Sequence, residues 1–353
     1  MTDRHANMNH AASVRSAIDD PFEPLLDVRD LRTYFLTDGG DVRAVDGISF
    51  TMNKGERLGV VGESGSGKSV TAASIMGLIE PPGAIVGGEI LFHGRDLVQL
   101  RERDMRKIRG KEIAIIFQDP MTALDPVFTV GSQMVETLKI HRNMSKKEAR
   151  TVAIDTLADV SIPRPEQRID EYPHQFSGGM RQRVVIAMAL LCDPDLLIAD
   201  EPTTALDVTS QAQVMDLMLG LANDRGTAVM LITHDLGVVA GFCENVQVMY
   251  AGEIIERGLA GPLYLSPEHP YTRGLLESVP RLDADAQHQL YSIRGAAPSS
   301  TTPPRGCRFW PRCDYATDLC VSDRPDRCDG TGDKECACHF AGHLKYESER
   351  AGT

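Results

Sequence analysis

The residues best suited to chemistry in this sequence are Gly62-Glu-Ser-Gly-Ser-Gly67-Lys68-Ser69, which satisfy G-x-x-x-x-G-K-[ST] at every fixed position. Glycines at that spacing let the backbone curl until several N–H groups face one phosphate chain. The candidate contacts are Gly62, Ser64, Gly65, Gly67, Lys68, Ser69 and Val70. Lys68 would reach the β- and γ-phosphates, and the Ser69 hydroxyl would ligate Mg²⁺. A second group is the pair of carboxylates closing Asp195-Leu-Leu-Ile-Ala-Asp200-Glu201. Asp200 is suited to holding Mg²⁺, and Glu201 to orienting or deprotonating an attacking water. Ala205-Leu-Asp207 follows in the next turn.

Four further features are weak signals alone and gain meaning from the first two. Gln118 follows the apolar run Ile113-Ala-Ile-Ile-Phe117, and His234 ends Ala228-Val-Met-Leu-Ile-Thr. Ser177-Gly178-Gly179 opens a long apolar helix, so it is a second helix N-terminus with bare N–H groups suited to an anion. Tyr34-Phe35 ends a strand pattern and offers an aromatic ring on which a purine could stack.

These residues need a scaffold. Arg57–Val61 reads as a short buried strand and Val70–Met76 as a helix, the context a phosphate loop requires. Parallel strands would bring His234 to the same sheet edge as Glu201 and Lys68, the edge where open α/β sheets bind ligands, and Gln118 follows the end of another strand. Leu25–Leu31, Ala44–Phe50 and Glu89–Phe92 read as further strands around the turns at 38–41 and 53–55. Residues 129–161 carry helical periodicity, and Ser145 with Glu148 has the spacing of a capping box. An all-helical stretch between two halves of an α/β core predicts an inserted subdomain, over about 121–185.

The chain has 353 residues, enough for two or three domains at roughly 150 residues each. Its formal net charge of −13 disfavours nucleic acid as a partner. The longest apolar run, Val184–Cys192, is far short of the roughly 20 residues of a spanning helix. The first twenty residues are polar, which predicts a tail (1–24) without a secretory signal and a cytosolic chain. Six of the eight cysteines fall between Cys307 and Cys338, beyond a linker-like stretch, Pro298–Pro304. In a reducing compartment that clustering points to a metal site before disulfides, and four thiolates fit either Zn²⁺ or a [4Fe–4S] cluster.

Taken together the motifs resemble those of the nucleotide-binding subunits of ABC transporters, over residues 25 to 340. The resemblance implies an α/β P-loop ATPase core (25–265) with an antiparallel β subdomain, a helical insert and a Cys-rich C-terminal extension. It assigns Gln118 to the Q-loop, Ser177-Gly178-Gly179 to the signature loop, Asp200 to Walker B and Glu201 to the catalytic glutamate. Asp207 becomes the D-loop aspartate, His234 the switch histidine, and Phe35, ahead of Tyr34, the adenine-stacking aromatic. Mg²⁺ ligands would be Ser69, Gln118 and Asp200. The signature departs from the usual L-S-G-G-Q, reading Phe176-Ser-Gly-Gly-Met180. That variant, Phe117–Pro126 and His269–Leu276 resemble the dipeptide, oligopeptide and nickel importer branch, with residues 266–297 as its C-terminal region and 298–353 as linker and cysteine segment. The branch implies ATP with Mg²⁺, a sister ATPase subunit, two membrane permeases, an external binding protein and a place on the cytoplasmic face of the inner membrane. It also implies a [4Fe–4S] cluster on Cys307, Cys313, Cys320 and Cys338, with Zn²⁺ the alternative and Cys336 a substitute for Cys338. A soluble ATPase of DNA repair or translation is the competing class. The single motif set and the acidic balance argue against it.

Overall fold

The computed structural model describes residues 23–119, 123–203, 208–278, 292–330 and 334–343. Strands β1 (Leu26–Thr37), β2 (Gly40–Met52), β4 (Gly83–Phe92) and β5 (Arg95–Asp96) form an antiparallel sheet in the order β2-β1-β4-β5. The second sheet is larger. Its strands are β3 (Arg57–Val61), β6 (Ile113–Ile116), β7 (Leu196–Asp200), β8 (Ala228–Thr233), β9 (Asn245–Tyr250), β10 (Glu253–Leu259), β11 (Cys328–Asp329) and β12 (Glu335–Cys336), in the order β11-β12-β10-β9-β3-β8-β7-β6.

From β9 to β6 this sheet is parallel. Its strands are largely apolar because both faces are covered. Along β8, Ala228, Met230 and Ile232 join one core cluster while Val229 and Leu231 join the other. Leu196 and Ile198 of β7 alternate with Leu197 and Ala199 in the same way. This is the two-residue period of a pleated strand expressed on both sides.

One face carries α1 (Lys68–Ile75) and α2 (Glu102–Ile108), packed with the small sheet. The other carries the helical region: α3 (Val130–Arg142), α4 (Lys146–Asp159), α5 (Pro165–Arg168), α6 (Gly178–Leu190), α7 (Val208–Arg225) and α8 (Leu236–Phe242). Ser145 accepts from the Glu148 N–H while the Glu148 carboxylate accepts from the Ser145 N–H, forming the capping box that the spacing predicts. After α9 (Ala260–Leu265) and α10 (Pro270–Glu277) comes the cysteine segment with its short helix α11 (Asp318–Ser322).

That segment is built into the core. Strand β12 pairs antiparallel with β10, Cys336 opposite Glu256, so the short β11–β12 hairpin extends the main sheet at its edge. Arg308, buried, bonds the Asp46 carboxylate, the Ala251 carbonyl and Glu253. The linker-like stretch is itself held, its Ser300 carbonyl accepting from the Arg43 N–H.

Candidate functional site

The parallel strands set the site. Val61 lies opposite Thr233, Ile232 opposite Asp200, and Ala199 opposite Ile116, so β3, β8, β7 and β6 all end at one edge. The residues just beyond those ends are the P-loop, His234, Glu201 and Gln118. The expected meeting of His234, Glu201 and the P-loop lysine at one edge is a consequence of strand direction and register, and the same register adds Gln118 to the row.

Within the P-loop two glycines are required by their surroundings. Gly67, the N-cap of α1, has φ of +106°, and a Cβ there would stand 2.4 Å from the Ala44 carbonyl oxygen. A Cβ at Gly62 would lie 2.2 Å from the Met249 carbonyl oxygen. No side chain caps α1, which leaves its N-terminal N–H groups open to an anion. Lys68 is buried, and its Nζ donates to the carbonyls of Gly62 (2.7 Å) and Glu63 (2.9 Å). Burial pulls the Lys68 pKa down, opposed by the carboxylates of Glu201, Asp200 and Glu63. Ser64, Gly65 and Ser69 are exposed on the open side of the loop.

Asp200 is almost wholly buried. Burial raises its pKa, while a hydrogen bond from Ser69 works the other way. Its Oδ1 is buried with no hydrogen-bond partner among the described residues. A carboxylate beside a serine hydroxyl, with one oxygen left unsatisfied, fits the water-and-hydroxyl shell of Mg²⁺.

Glu201 occupies the left-handed region at φ +47°, an uncommon conformation for a residue with a side chain. Its N–H donates to the Ile232 carbonyl at 2.8 Å, fixing the turn. Its carboxylate is held at both ends: Oε2 accepts from Gln118 Nε2 at 3.0 Å, and Oε1 pairs with His234 Nδ1 at 3.0 Å. Gln118, Glu201 and His234 thus form one polar unit drawn from three strands, with Gln118 on the glutamate.

Ser177 caps α6, its hydroxyl accepting from the Met180 N–H at 3.3 Å. Ser177 and Gly178 are exposed, and a Cβ on Gly178 or Gly179 would meet only open space. Phe176 before them is buried in the core, so the serine–glycine tip stands on a fixed base. Tyr34 and Phe35 separate clearly. The Tyr34 hydroxyl donates to Asp46 at 2.5 Å and its ring lies under Arg43. Phe35 packs against the turn at Gly83 and is partly exposed. Asp207 lies outside the described residues.

Four of the cysteines converge. Cys307, Cys313, Cys320 and Cys338 line one cavity of about 20 Å³ with His269, Phe309 and other aromatic residues. Burial pushes the thiols of Cys307, Cys313 and Cys338 up to about 11 each. Cys336 is fully buried on β12 and does not line that cavity. Among the described residues no three His, Cys, Asp or Glu side chains stand close enough to hold a metal ion as they are placed. Cys192 and Cys243 are buried in the main core, as packing residues.

Sequence reasoning missed three residues that bear on this site. Gln182, buried on α6, donates to the Pro202 carbonyl at 2.6 Å and ties the signature helix to the turn after Glu201. Arg312 and Tyr271 both reach Glu63 inside the P-loop, from 249 and 208 residues away. No local pattern marks contacts at such separations.

A phosphate loop, a buried carboxylate for the metal and a glutamate held by Gln118 and His234, on this mixed sheet with a helical region, define a P-loop ATPase of the ATP-binding-cassette class. Residues 45–204 match the ABC transporter family, and residues 255–320 match the oligopeptide/dipeptide transporter C-terminal region. The oligopeptide transport ATP-binding protein OppD of Bacillus subtilis is 53% identical over 302 residues, 85% of this chain and 84% of that protein. The OppD of Salmonella typhimurium is 52% identical over 305 residues, 86% of this chain and 90% of that protein. The dipeptide transport ATP-binding protein DppD of Bacillus subtilis is 53% identical over 299 residues, 84% and 89% of the two chains. Among solved structures, the dimeric ATP-binding cassette MJ0796 in a post-hydrolysis state bound to ADP and Pi superposes with a TM-score of 0.60 at 27% identity, covering 67% of this chain and 98% of that one. The chain belongs to the ATP-binding subunits of ABC transporters, in the branch that carries the oligopeptide/dipeptide C-terminal region, and it is an ATPase coupled to transport.

Proposed function

We propose that this chain hydrolyses ATP to drive uptake of dipeptides and oligopeptides across the cytoplasmic membrane, from a peripheral position on its inner face. The observation that carries the reading is the Gln118–Glu201–His234 unit beside the P-loop, in a chain that also matches the peptide-transporter C-terminal region.

ATP would lie with its purine on Phe35 and its phosphates over Gly62, Ser64, Gly65, Gly67 and the N-terminus of α1, through Val70. Lys68 exchanges its carbonyl partners for the β- and γ-phosphates. Ser69 and Asp200, with Gln118, would hold Mg²⁺, which supplies charge neutralisation on those phosphates when bound. Glu201 orients the attacking water and takes its proton, and His234 sets the carboxylate and stabilises the γ-phosphate charge. The exposed Ser177-Gly178-Gly179 tip and Asp207 would complete the site of a neighbouring cassette. We assign that neighbour to a sister ATPase subunit, and add two permeases and an external binding protein. Closure on ATP is a population shift toward the dimer.

The divisions we propose are the cassette over 25–265, its helical insert over about 121–185, the C-terminal region over 266–297 and the cysteine segment over 298–353. In that segment Cys307, Cys313, Cys320 and Cys338 would hold a [4Fe–4S] cluster. Support comes from the cavity that the four cysteines share. Four thiolates and a largely apolar lining suit such a cluster. Anaerobic purification with visible and Mössbauer spectra separates it from Zn²⁺.

Reconstitution of the chain with its permeases, sister subunit and binding protein tests the function. Labelled oligopeptide should accumulate in an ATP-dependent manner. Uptake of another solute in its place would refute the cargo, and absence of peptide-stimulated hydrolysis would refute the role.

A further inference from the structure

We propose that Arg312 and Tyr271 are positioning residues for ATP binding: from outside the cassette they hold the P-loop in shape by gripping Glu63. The proposal rests on the ATPase reading above.

Glu63 is the second residue of the P-loop and is anchored in three directions. Its carboxylate accepts two bonds from Arg312, Nη1 to Oε2 at 2.8 Å and Nη2 to Oε1 at 3.0 Å. Its N–H donates to the Tyr271 hydroxyl at 2.8 Å. Its carbonyl accepts from Lys68 Nζ at 2.9 Å. The residue that fixes the resting position of the phosphate-binding lysine is therefore itself fixed by two side chains of the C-terminal region.

Both grips are stiff. The Arg312 side chain is 5% exposed, and its Nε donates to the Arg294 carbonyl at 2.9 Å. Its guanidinium also lies over the Tyr250 ring, 5.8 Å from the centroid. Tyr271 is fully buried, with ring centroids 4.6 Å from Tyr250 and 5.4 Å from Phe309. A planar two-bond fork and an aromatic block leave little rotamer freedom, so Glu63 is placed by rigid groups. Glu63 has no role toward phosphate that its side chain could fill while paired in this way. Its function is to transmit position.

The test uses the full-length chain in its assembled transporter, with ATP titrated for steady-state hydrolysis and a fluorescent ATP analogue for binding. The variants are Arg312→Lys, which keeps the charge and loses the fork, Tyr271→Phe, which removes only the hydroxyl, and Glu63→Gln. We expect Arg312→Lys to raise KM and the analogue's Kd by about tenfold with kcat within about twofold, the signature of lost ground-state binding. Tyr271→Phe should move the same quantities by about threefold, in line with loss of one hydrogen bond. If Arg312 acts through Glu63, the Arg312→Lys/Glu63→Gln double variant binds no more weakly than the weaker single one. Unchanged KM and Kd in the single variants, with or without a lowered melting temperature, would overturn the proposal, as would effects that simply add in the double variant. Wild-type transporter that bound no ATP would instead overturn the ATPase reading, so the two failures are distinguishable.

Discussion

His234 Nδ1 and Glu201 Oε1 stand 3.0 Å apart, and the opposite oxygen of the same carboxylate takes a bond from Gln118. The Glu201 carboxylate is therefore fixed in orientation, as the proposed role of base toward an attacking water requires. Glu201→Gln keeps the shape and removes the base. Turnover should fall by about 10²- to 10⁴-fold while ATP affinity stays within a few-fold. Single-turnover hydrolysis alongside equilibrium binding checks it, and near-normal turnover would remove Glu201 from the role. His234→Ala should give a smaller loss, because Gln118 still holds one oxygen.

Gly67 gives the most direct test of the loop itself. A methyl group there meets the Ala44 carbonyl oxygen and requires a residue with φ of +106°. Gly67→Ala should weaken ATP binding by at least about a hundredfold, since the N–H groups of α1 leave their converging arrangement. Gly179→Ala is the control for binding by the isolated chain, because its Cβ enters open space. It should bind ATP normally and fail only where the tip meets a second cassette, which sedimentation of the ATP-bound Glu201→Gln pair would show.

Asp46 joins the antiparallel sheet to the cysteine segment. Tyr34 donates to it, Arg32 and Arg43 approach it, and Arg308, like Asp46 itself, is almost fully buried. Asp46→Asn leaves Arg308 with Glu253 as its carboxylate partner and should cost about 1–3 kcal/mol in chemical denaturation. The same knot predicts an acid effect. Burial pushes the Asp46 pKa up, but the Tyr34 hydroxyl and Arg308 outweigh it and hold the carboxyl below its ordinary value of 3.8. A carboxylate depressed in the folded state stabilises fully above the unfolded value, and that contribution is lost as pH falls through the folded one. Unfolding free energy should therefore drop more steeply below about pH 4 in wild type than in Asp46→Asn. Equal slopes would exclude Asp46 as the titrating group.

Cys336 and Cys338 offer a paired comparison. On the proposed cluster assignment, anaerobically purified protein absorbs in the visible and Cys338→Ser should bleach that absorption, because that sulfur lines the cavity. Cys336→Ser should retain the absorption and lower thermal stability, since its side chain is fully buried on β12. The reverse pattern would move the fourth ligand to Cys336.

The catalytic edge was legible because each element there is local. A glycine motif between a strand and a helix, and apolar strands closed by Glu201 and His234, can be read in windows of ten residues or so. The order β3-β8-β7-β6 itself carries no local signal. The spacing that favours Phe35 over Tyr34 gave no sign that the Tyr34 hydroxyl is committed to Asp46. What stayed hidden was everything carried by distance in sequence. Arg308 and Arg312 look like surface charges in a cysteine-rich, linker-like stretch, yet both are buried against residues 46 and 63. Strands of two residues, such as β11 and β12, leave no periodic signal at all.

The β11–β12 hairpin lies along β10, at the border of the main sheet. Trimming the gene to a minimal cassette would strip that cover and leave β10 as an open edge, with the Ile255 carbonyl that accepts from the Ala337 N–H unmatched, a template for sticky chain-to-chain pairing. It would also strand the buried carboxylates of Asp46 and Glu253 without Arg308. Short expression fragments ending near residue 297 are therefore poor reagents for studying this ATPase, and insolubility in them would report the missing hem of the sheet rather than a fault in the nucleotide site.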